Sequence, residues 1–174
     1  MLSRMIGAAL LRSDTFEEVE ADSNAMVQAL IVVIFVAIAG AIGSFLSEEG
    51  DIVRALIFGI VFSIVSWAVW ALVAVFVGTK ILKTEDTEAD WGQVARCTGF
   101  AQTPGLLSIL VFVPVVGGLF GVVSFAWRIA AMVVAIRQSL DYTSTWRAFF
   151  VILISFIPVL IINAVAFVVL SFAL

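Results

Sequence analysis

The stretch "VVSFAWRIAAMVVAIRQ", residues 122–138, decides how the rest of the chain is read. It is apolar enough to lie in lipid, yet Arg128 sits near its middle. Either the protein's own groups solvate that cation, or the stretch does not cross a membrane. Composition favours the first alternative. Of 174 residues, 63% are hydrophobic and 13% are charged, and the mean hydropathy is +1.21. Soluble domains are about half apolar and about a quarter charged. A soluble chain of this length could not hide so much apolar surface, so hydrocarbon must cover much of it.

Five apolar runs stand out, at roughly 25–46, 52–78, 99–116, 118–136 and 148–174. A span needs about 20 residues, rising about 1.5 Å each, to cross about 30 Å of hydrocarbon. The first, second and fifth runs meet this easily. The third and fourth are near the short limit and join through Pro114-Val115-Val116-Gly117-Gly118. They read as a transmembrane hairpin or as a re-entrant pair. The hairpin is favoured, because a turn inside lipid leaves backbone groups unpaired. The predicted fold class is all-α: a polytopic transmembrane helical bundle of five spans over residues 25–174. A cytoplasmic or interfacial segment, residues 1–24, precedes it.

Positive charge sets the direction. Arg4 and Arg12 precede the first span, Lys80, Lys83 and Arg96 lie between the second and third, and Arg137 and Arg147 lie between the fourth and fifth. The other side carries only Arg54. The positive-inside rule then puts the N-terminus in the cytoplasm and the C-terminus outside. Acidic residues count little in that rule. All but Asp141 fall in three clusters outside the runs: Asp14 to Asp22, Glu48 to Asp51, and Glu85 to Asp90. Solvated loops are the simple reading of all three.

No cleavable signal peptide is evident, so the N-terminus is expected to be retained. Within MLSRMIGAALLR, Met1, Leu2, Met5, Ile6, Ala9 and Leu10 recur at helical spacing, away from Arg4 and Arg12. This predicts a short amphipathic helix in the headgroup layer. Asp14 with Glu17 resembles a capping box opening a second helix that runs towards the first span. Asp90 with Gln93 makes a similar pair, opening a helix that leads into the third run and sets Trp91 at the interface.

Chemistry-bearing motifs are scarce. There is no histidine and one cysteine, Cys97. This excludes an intrachain disulfide, a histidine-ligated haem and histidine-based catalysis. Cys97 reads as a packed residue, with a reactive or palmitoylated thiol as the alternative. No phosphate-cradling loop, metal-spaced set or nucleophile–base pair occurs, so no catalytic residue, metal, cofactor or nucleic-acid partner is expected. Small residues at Ala37, Gly40, Ala41, Gly43 and Ser44, and again at Gly59 and Ser63, let helix backbones approach closely. They serve packing within the chain or a homodimer face.

Arg128 is the sharpest feature. A charge buried in a bilayer costs about 2.5–3.5 kcal/mol on insertion scales, and no acidic residue lies within a run to pair with it. Counting from Arg137, it lies about 13 Å deep. Its side chain leans outward and deeper, towards Asn163, about 22 Å from the cytoplasmic end at Ala148. Ser63 and Ser66 lie at a depth comparable to Asn163, and Pro158 frees carbonyls nearby. Arg128, Asn163, Ser63 and Ser66 form the candidate intramembrane polar site, either an internal clasp or a place for an anion or lipid headgroup. Gln102, Thr103 and Pro104 form a second polar point, a notch near the cytoplasmic start of the third run.

The order of these features resembles the YIP (Ypt-interacting protein) family in its prokaryotic branch. The resemblance is carried by "DTFEEVEADSNAMVQAL", "WGQVARCTGFAQTPGLL", "FVPVVGGLFGVVSFAWRIAAMVVAIRQSL" and "STWRAFFVILISFIPVLI". It implies a five-span helical protein of the cell membrane, the prokaryotic inner membrane, with a cytoplasmic N-terminus. Eukaryotic relatives look like adaptors for prenylated small GTPases. Their Asp-Leu-Tyr-Gly-Pro motif is missing here, where Tyr142 is the only tyrosine, so GTPase binding is not transferred. Two functions compete: a non-enzymatic scaffold or accessory subunit that binds other membrane proteins, and a small transporter or channel for an anion or lipid that uses Arg128. An intramembrane enzyme has no candidate base.

Overall fold

A computed structural model of the chain describes residues 1–47 and 52–173, with side chains at all of these except residues 47, 54, 55, 162, 163 and 165–173. All regular structure among the described residues is helical. In order these are α1 (Leu2–Ala9), α2 (Ser13–Ala21), α3 (Ala25–Ser47) and α4 (Ile52–Phe76), which a π-helical turn (Val77–Ile81) extends. Then come α5 (Trp91–Phe100), a 3₁₀ segment (Thr103–Phe112), α6 (Gly117–Ser139) and α7 (Thr145–Ala173). Among the described residues, three helices are long and apolar enough to cross a membrane: Ala25–Leu46, Leu56–Ile81 and Gly117–Ser139. A shorter apolar stretch, Thr145–Ile161, belongs to α7. The cluster Glu48, Glu49 and Asp51 and the side chains of Arg54 and Asn163 lie outside the described residues.

The third apolar run is not one α-helix. α5 ends at Phe100, and the chain restarts at Thr103 as a 3₁₀-helix with Pro104 in its first turn. Proline lacks a backbone donor. The carbonyl of Phe100 is served instead by the Thr103 hydroxyl, 2.6 Å away. With three residues per turn, side chains three apart eclipse one another. Gly105, Ser108 and Val111 therefore share one strip. It meets Val36 and Arg128, then Gly40 and Gly43, then Gly117 and Gly121. Ile109 and Phe112, on the next strip, are exposed. Gly43 permits a close approach to α3, since a Cβ there would stand 2.2 Å from the Ser108 carbonyl oxygen. The small-residue face of α3 thus meets the 3₁₀ segment of the same chain at Gly43. After Phe112 the chain reverses through Val115, which is left-handed at φ 71°. The Ser124 hydroxyl then donates to the Pro104 carbonyl at 3.1 Å, so the 3₁₀ segment and α6 run antiparallel.

The entry to the bundle differs from the capping pattern. Asp14 and Glu17 form no capping box: α2 begins two residues earlier, with Arg12 at its N-cap and no side-chain cap bond. Backbone sets the turn instead. Leu11 is left-handed at φ 59°, and the Arg12 amide donates to the Gly7 carbonyl at 3.0 Å. Nor does α2 continue into α3. It stops at Asp22, whose carboxylate accepts from the Asn24 amide at 3.0 Å, an Asx turn that restarts the chain. The second box does form: Asp90 accepts from the Gln93 amide, and the Gln93 side chain accepts from the Asp90 amide. On α1, Met5 and Ala8 are buried, while Leu2, Ile6 and Leu10 are exposed. Arg4 ties α1 to α2 through ion pairs with Glu18 and Asp22, each 2.8 Å.

One end of the bundle is stitched from side chain to backbone. Arg96 of α5 donates to the carbonyls of Val19 and Glu20, which close α2. Phe16 and Val19 of α2 are wholly buried beside it. Two indoles exchange across α4 and α5: Trp67 donates to the Ala95 carbonyl at 3.2 Å, and Trp91 to the Ala68 carbonyl at 3.1 Å. The Tyr142 hydroxyl lies 2.9 Å from the Gly78 carbonyl and 3.0 Å from that of Leu82, around the π turn. Arg96 and Tyr142 thereby use carbonyls at helix ends, while the two indoles add a second bond to carbonyls inside α4 and α5.

Glu20 sits in this stitched end and accepts from Gln93 at 3.2 Å. Burial pushes its carboxyl up to about 7; Asp141 adds to the rise, Arg96 opposes it, and Glu17 and Asp90 add further. The folded state therefore holds this proton more tightly than the unfolded chain does. The stabilising contribution is present in acid and is lost as pH rises through the folded value of about 7. Glu20→Gln keeps the acceptor for Gln93 and removes the titration. Thermal unfolding of the purified protein should depend less on pH between about 5 and 8 in this variant, with a higher midpoint than wild type at the alkaline end. An unchanged slope would assign the pH dependence to other groups.

Candidate functional site

The two polar points of the sequence meet at one place. Arg128, on α6, donates to Gln102 Oε1 at 3.2 Å. Gln102 closes the turn between α5 and the 3₁₀ segment, and it is 8% exposed. The turn is positioned by Thr103 on Phe100 and by Ser124 on Pro104. Gly105 makes room for the arginine stem: a Cβ there would fall 2.9 Å from Arg128 Cδ and 2.6 Å from Val36. The antiparallel register of the 3₁₀ segment on α6 thus delivers the amide to the guanidinium.

Around this pair lies a cavity of two lobes. One, about 280 Å³, is lined by Ser63, Ser66, Trp70, Gln102 and Arg128 with the apolar Phe62, Trp67, Met132, Phe156 and Val159. The other, about 410 Å³, lies towards α3 and shares Ser63, Gln102 and Arg128. It adds Ser108 and Ser44 among glycines and alanines. Neither lining contains an acidic residue. Two buried polar atoms beside the cavity have no hydrogen-bond partner among the described residues: Trp70 Nε1 by the first lobe and Ser108 Oγ by the second.

Of the four predicted members of the polar site, Arg128, Ser63 and Ser66 share this cavity, and Asn163 lies outside the described side chains. The arginine's hydrogen bond goes to Gln102, not to Ser63 or Ser66. The notch is therefore part of the same site: Gln102 enters the cavity, while Thr103 and Pro104 shape the turn that carries it. Trp70, Gly105 and Ser108 were not singled out by sequence. One signal was available, because Ser63, Ser66, Trp67 and Trp70 recur at intervals of three and four, on one helix face.

Elsewhere, candidate reactive groups are engaged. Cys97 is wholly buried, its thiol 3.4 Å from the Phe16 carbonyl, and burial pushes that thiol up, away from the thiolate. No group of three or more metal-ligating side chains gathers among the described residues. Asp141 faces Asp86, Glu88 and Glu17; burial first, and these carboxylates next, push its carboxyl up.

A family model described as Yip1 domain matches residues 8–168. No curated protein and no solved structure gives a significant match.

The pairing of Arg128 with Gln102 can be measured directly. A double-mutant cycle with Arg128→Leu and Gln102→Leu, read by thermal unfolding in detergent, should give a coupling of about 1.5–3 kcal/mol, the range for a hydrogen bond to a charged group. Gln102→Leu alone should destabilise more than the double variant does, because it strands the guanidinium. Additive effects would mean that the two side chains do not interact.

Proposed function

The chain belongs to the Yip1-domain family, and from that premise we propose that it is a non-enzymatic scaffold with five membrane passes. Its N-terminus and the stitched end lie in the cytoplasm, its C-terminus lies outside, and α1 rests its exposed Leu2, Ile6 and Leu10 in the headgroup layer. The passes are α3, α4 with its π turn, the 3₁₀ segment, α6 and α7. The observation that carries the scaffold reading is how the polar side chains of the stitched end are used. Arg96, Trp67, Trp91 and Tyr142 all bond to backbone and hold the layer rigid. Part of what the layer turns outward is an acidic cluster: Glu17, Asp86, Glu88 and Asp141 come together from three separate segments, while Lys80 and Lys83 are also exposed on this layer. An acidic cluster on a preorganised platform suits a basic cytoplasmic segment of another membrane protein.

Buried Cys97 leaves the thiol background low, so single introduced cysteines can report both topology and partner. Val115→Cys should react with an impermeant maleimide only from outside, and Ser144→Cys only from the cytoplasm. A crosslinker at Ser144→Cys should capture a defined partner in native membranes, and Asp86→Lys with Glu88→Lys should weaken that capture about tenfold. Labelling of both positions from one side would remove the five-pass topology. A partner-free monomer would remove the scaffold.

The cavity favours a second reading, transport of an anion or lipid past Arg128. Liposomes holding the wild-type protein should then pass the solute, and Arg128→Ala should abolish the flux. Equal flux from both proteins would end this reading.

A further inference from the structure

The cavity at Arg128 is lined by hydrogen-bond donors, and two of the polar atoms beside it have no partner among the described residues. The guanidinium carries five N–H donors and cannot accept; its hydrogen bond goes to Gln102. The Trp70 indole is donor-only as well. It is 6% exposed and has no partner. The Ser63 and Ser66 hydroxyls stand in the same lobe, and the Ser108 hydroxyl, without a partner, in the other. Among the described residues, no carboxylate lines either lobe. A site of this kind is complementary to a ligand that is anionic and accepts only. Among such groups, phosphate matches the planar fork of arginine, taking two parallel N–H bonds.

The rest of the lining says how that phosphate is delivered. Phe62, Met132, Phe156 and Val159 make one wall of the first lobe apolar. Phe62 is 47% exposed on the outer side of α4, where lipid lies in the five-pass arrangement. A free ion would gain nothing from that wall. An acyl chain entering beside Phe62 would cover it.

We propose that the Arg128 cavity binds a phosphate group presented by a membrane amphiphile, the head on Arg128 and Trp70 and the chain along Phe62, Met132 and Phe156. This deepens the second reading above, resting on its premise that the cavity is a ligand site. Binding replaces the missing counter-charge of Arg128 without any acidic residue of the protein. Gln102 then positions the guanidinium, and its own N–H groups remain for the ligand.

The test uses the full-length protein in detergent with defined lipids, read by native mass spectrometry. Phosphatidic acid should be retained, and diacylglycerol with the same chains should not. Arg128→Gln should lower apparent affinity at least tenfold, and Arg128→Lys less, since it keeps the charge and loses the fork. Two further variants keep the guanidinium in case Arg128→Gln does not fold. Ser63→Leu fills the space common to both lobes and should abolish binding. Trp70→Phe removes one N–H donor and should weaken binding several-fold, with an unchanged melting profile. Equal retention of diacylglycerol, or wild-type affinity in folded Ser63→Leu, would overturn the proposal. Inorganic phosphate or glycerol 3-phosphate that binds as tightly as phosphatidic acid would overturn the amphiphile and assign the site to the free anion. Liposome flux separates this proposal from the transport reading. Arg128-dependent lipid binding without flux removes transport and leaves the proposal standing. Flux of an anion by a protein that ignores phosphatidic acid removes the proposal and leaves transport.

Discussion

A cation inside an apolar bundle has to be solvated by the protein itself. Hydrocarbon offers it nothing, and water reaches it only through a cavity that the helices hold open. Arg128 imposes this requirement, and the packing around it follows. The 3₁₀ segment must run antiparallel to α6 to bring Gln102 into reach. Gly105 must lack a side chain so that the arginine stem can lie along it. α3 must present glycines to the far side of the same segment so that it can seat closely. Scaffold, cavity and cation are therefore linked, and a change at any of these glycines reaches the guanidinium.

The same rule governs the other end of the molecule, with a different solution. There the donors are long side chains and the acceptors are backbone carbonyls. Arg96, two tryptophans and the single tyrosine each close a pair. Because carbonyls are supplied by every helix end, this arrangement needs no particular partner residue. It needs only donors long enough to reach. The contrast matters for function. The stitched end turns its long donors onto backbone carbonyls, whereas at the Arg128 cavity Trp70 Nε1 and Ser108 Oγ have no partner among the described residues.

Much of this was legible in the sequence, and the gaps have physical causes. Hydropathy marked the apolar runs, and three helices of spanning length coincide with them. The Asp90–Gln93 box was readable because both partners are local. The Asp14–Glu17 pair has the same pattern and fails, because the left-handed turn at Leu11 and the bond from Arg12 to Gly7 start α2 two residues earlier. The depth of Arg128 follows from counting residues, but counting does not give the direction in which a side chain points around its helix. That is why Ser63 and Ser66 were foreseen as cavity neighbours while Gln102, the hydrogen-bonding partner, was set apart in a second site. Small residues on α3 announced a close approach without naming its occupant. The strip Gly105, Ser108 and Val111 has the matching period of three, too short a signal to separate from chance.

The 3₁₀ winding changes how far a short stretch of chain reaches. At about 2 Å per residue, ten residues extend about 20 Å, a depth for which an α-helix needs about thirteen. Thr103–Phe112 has ten residues. Rules that weigh a stretch by residue number alone, assuming one fixed pitch, undercount such a segment. A polypeptide can therefore carry a leg deeper into an apolar layer than its residue number suggests, provided a neighbouring groove is narrow enough to hold the tighter coil.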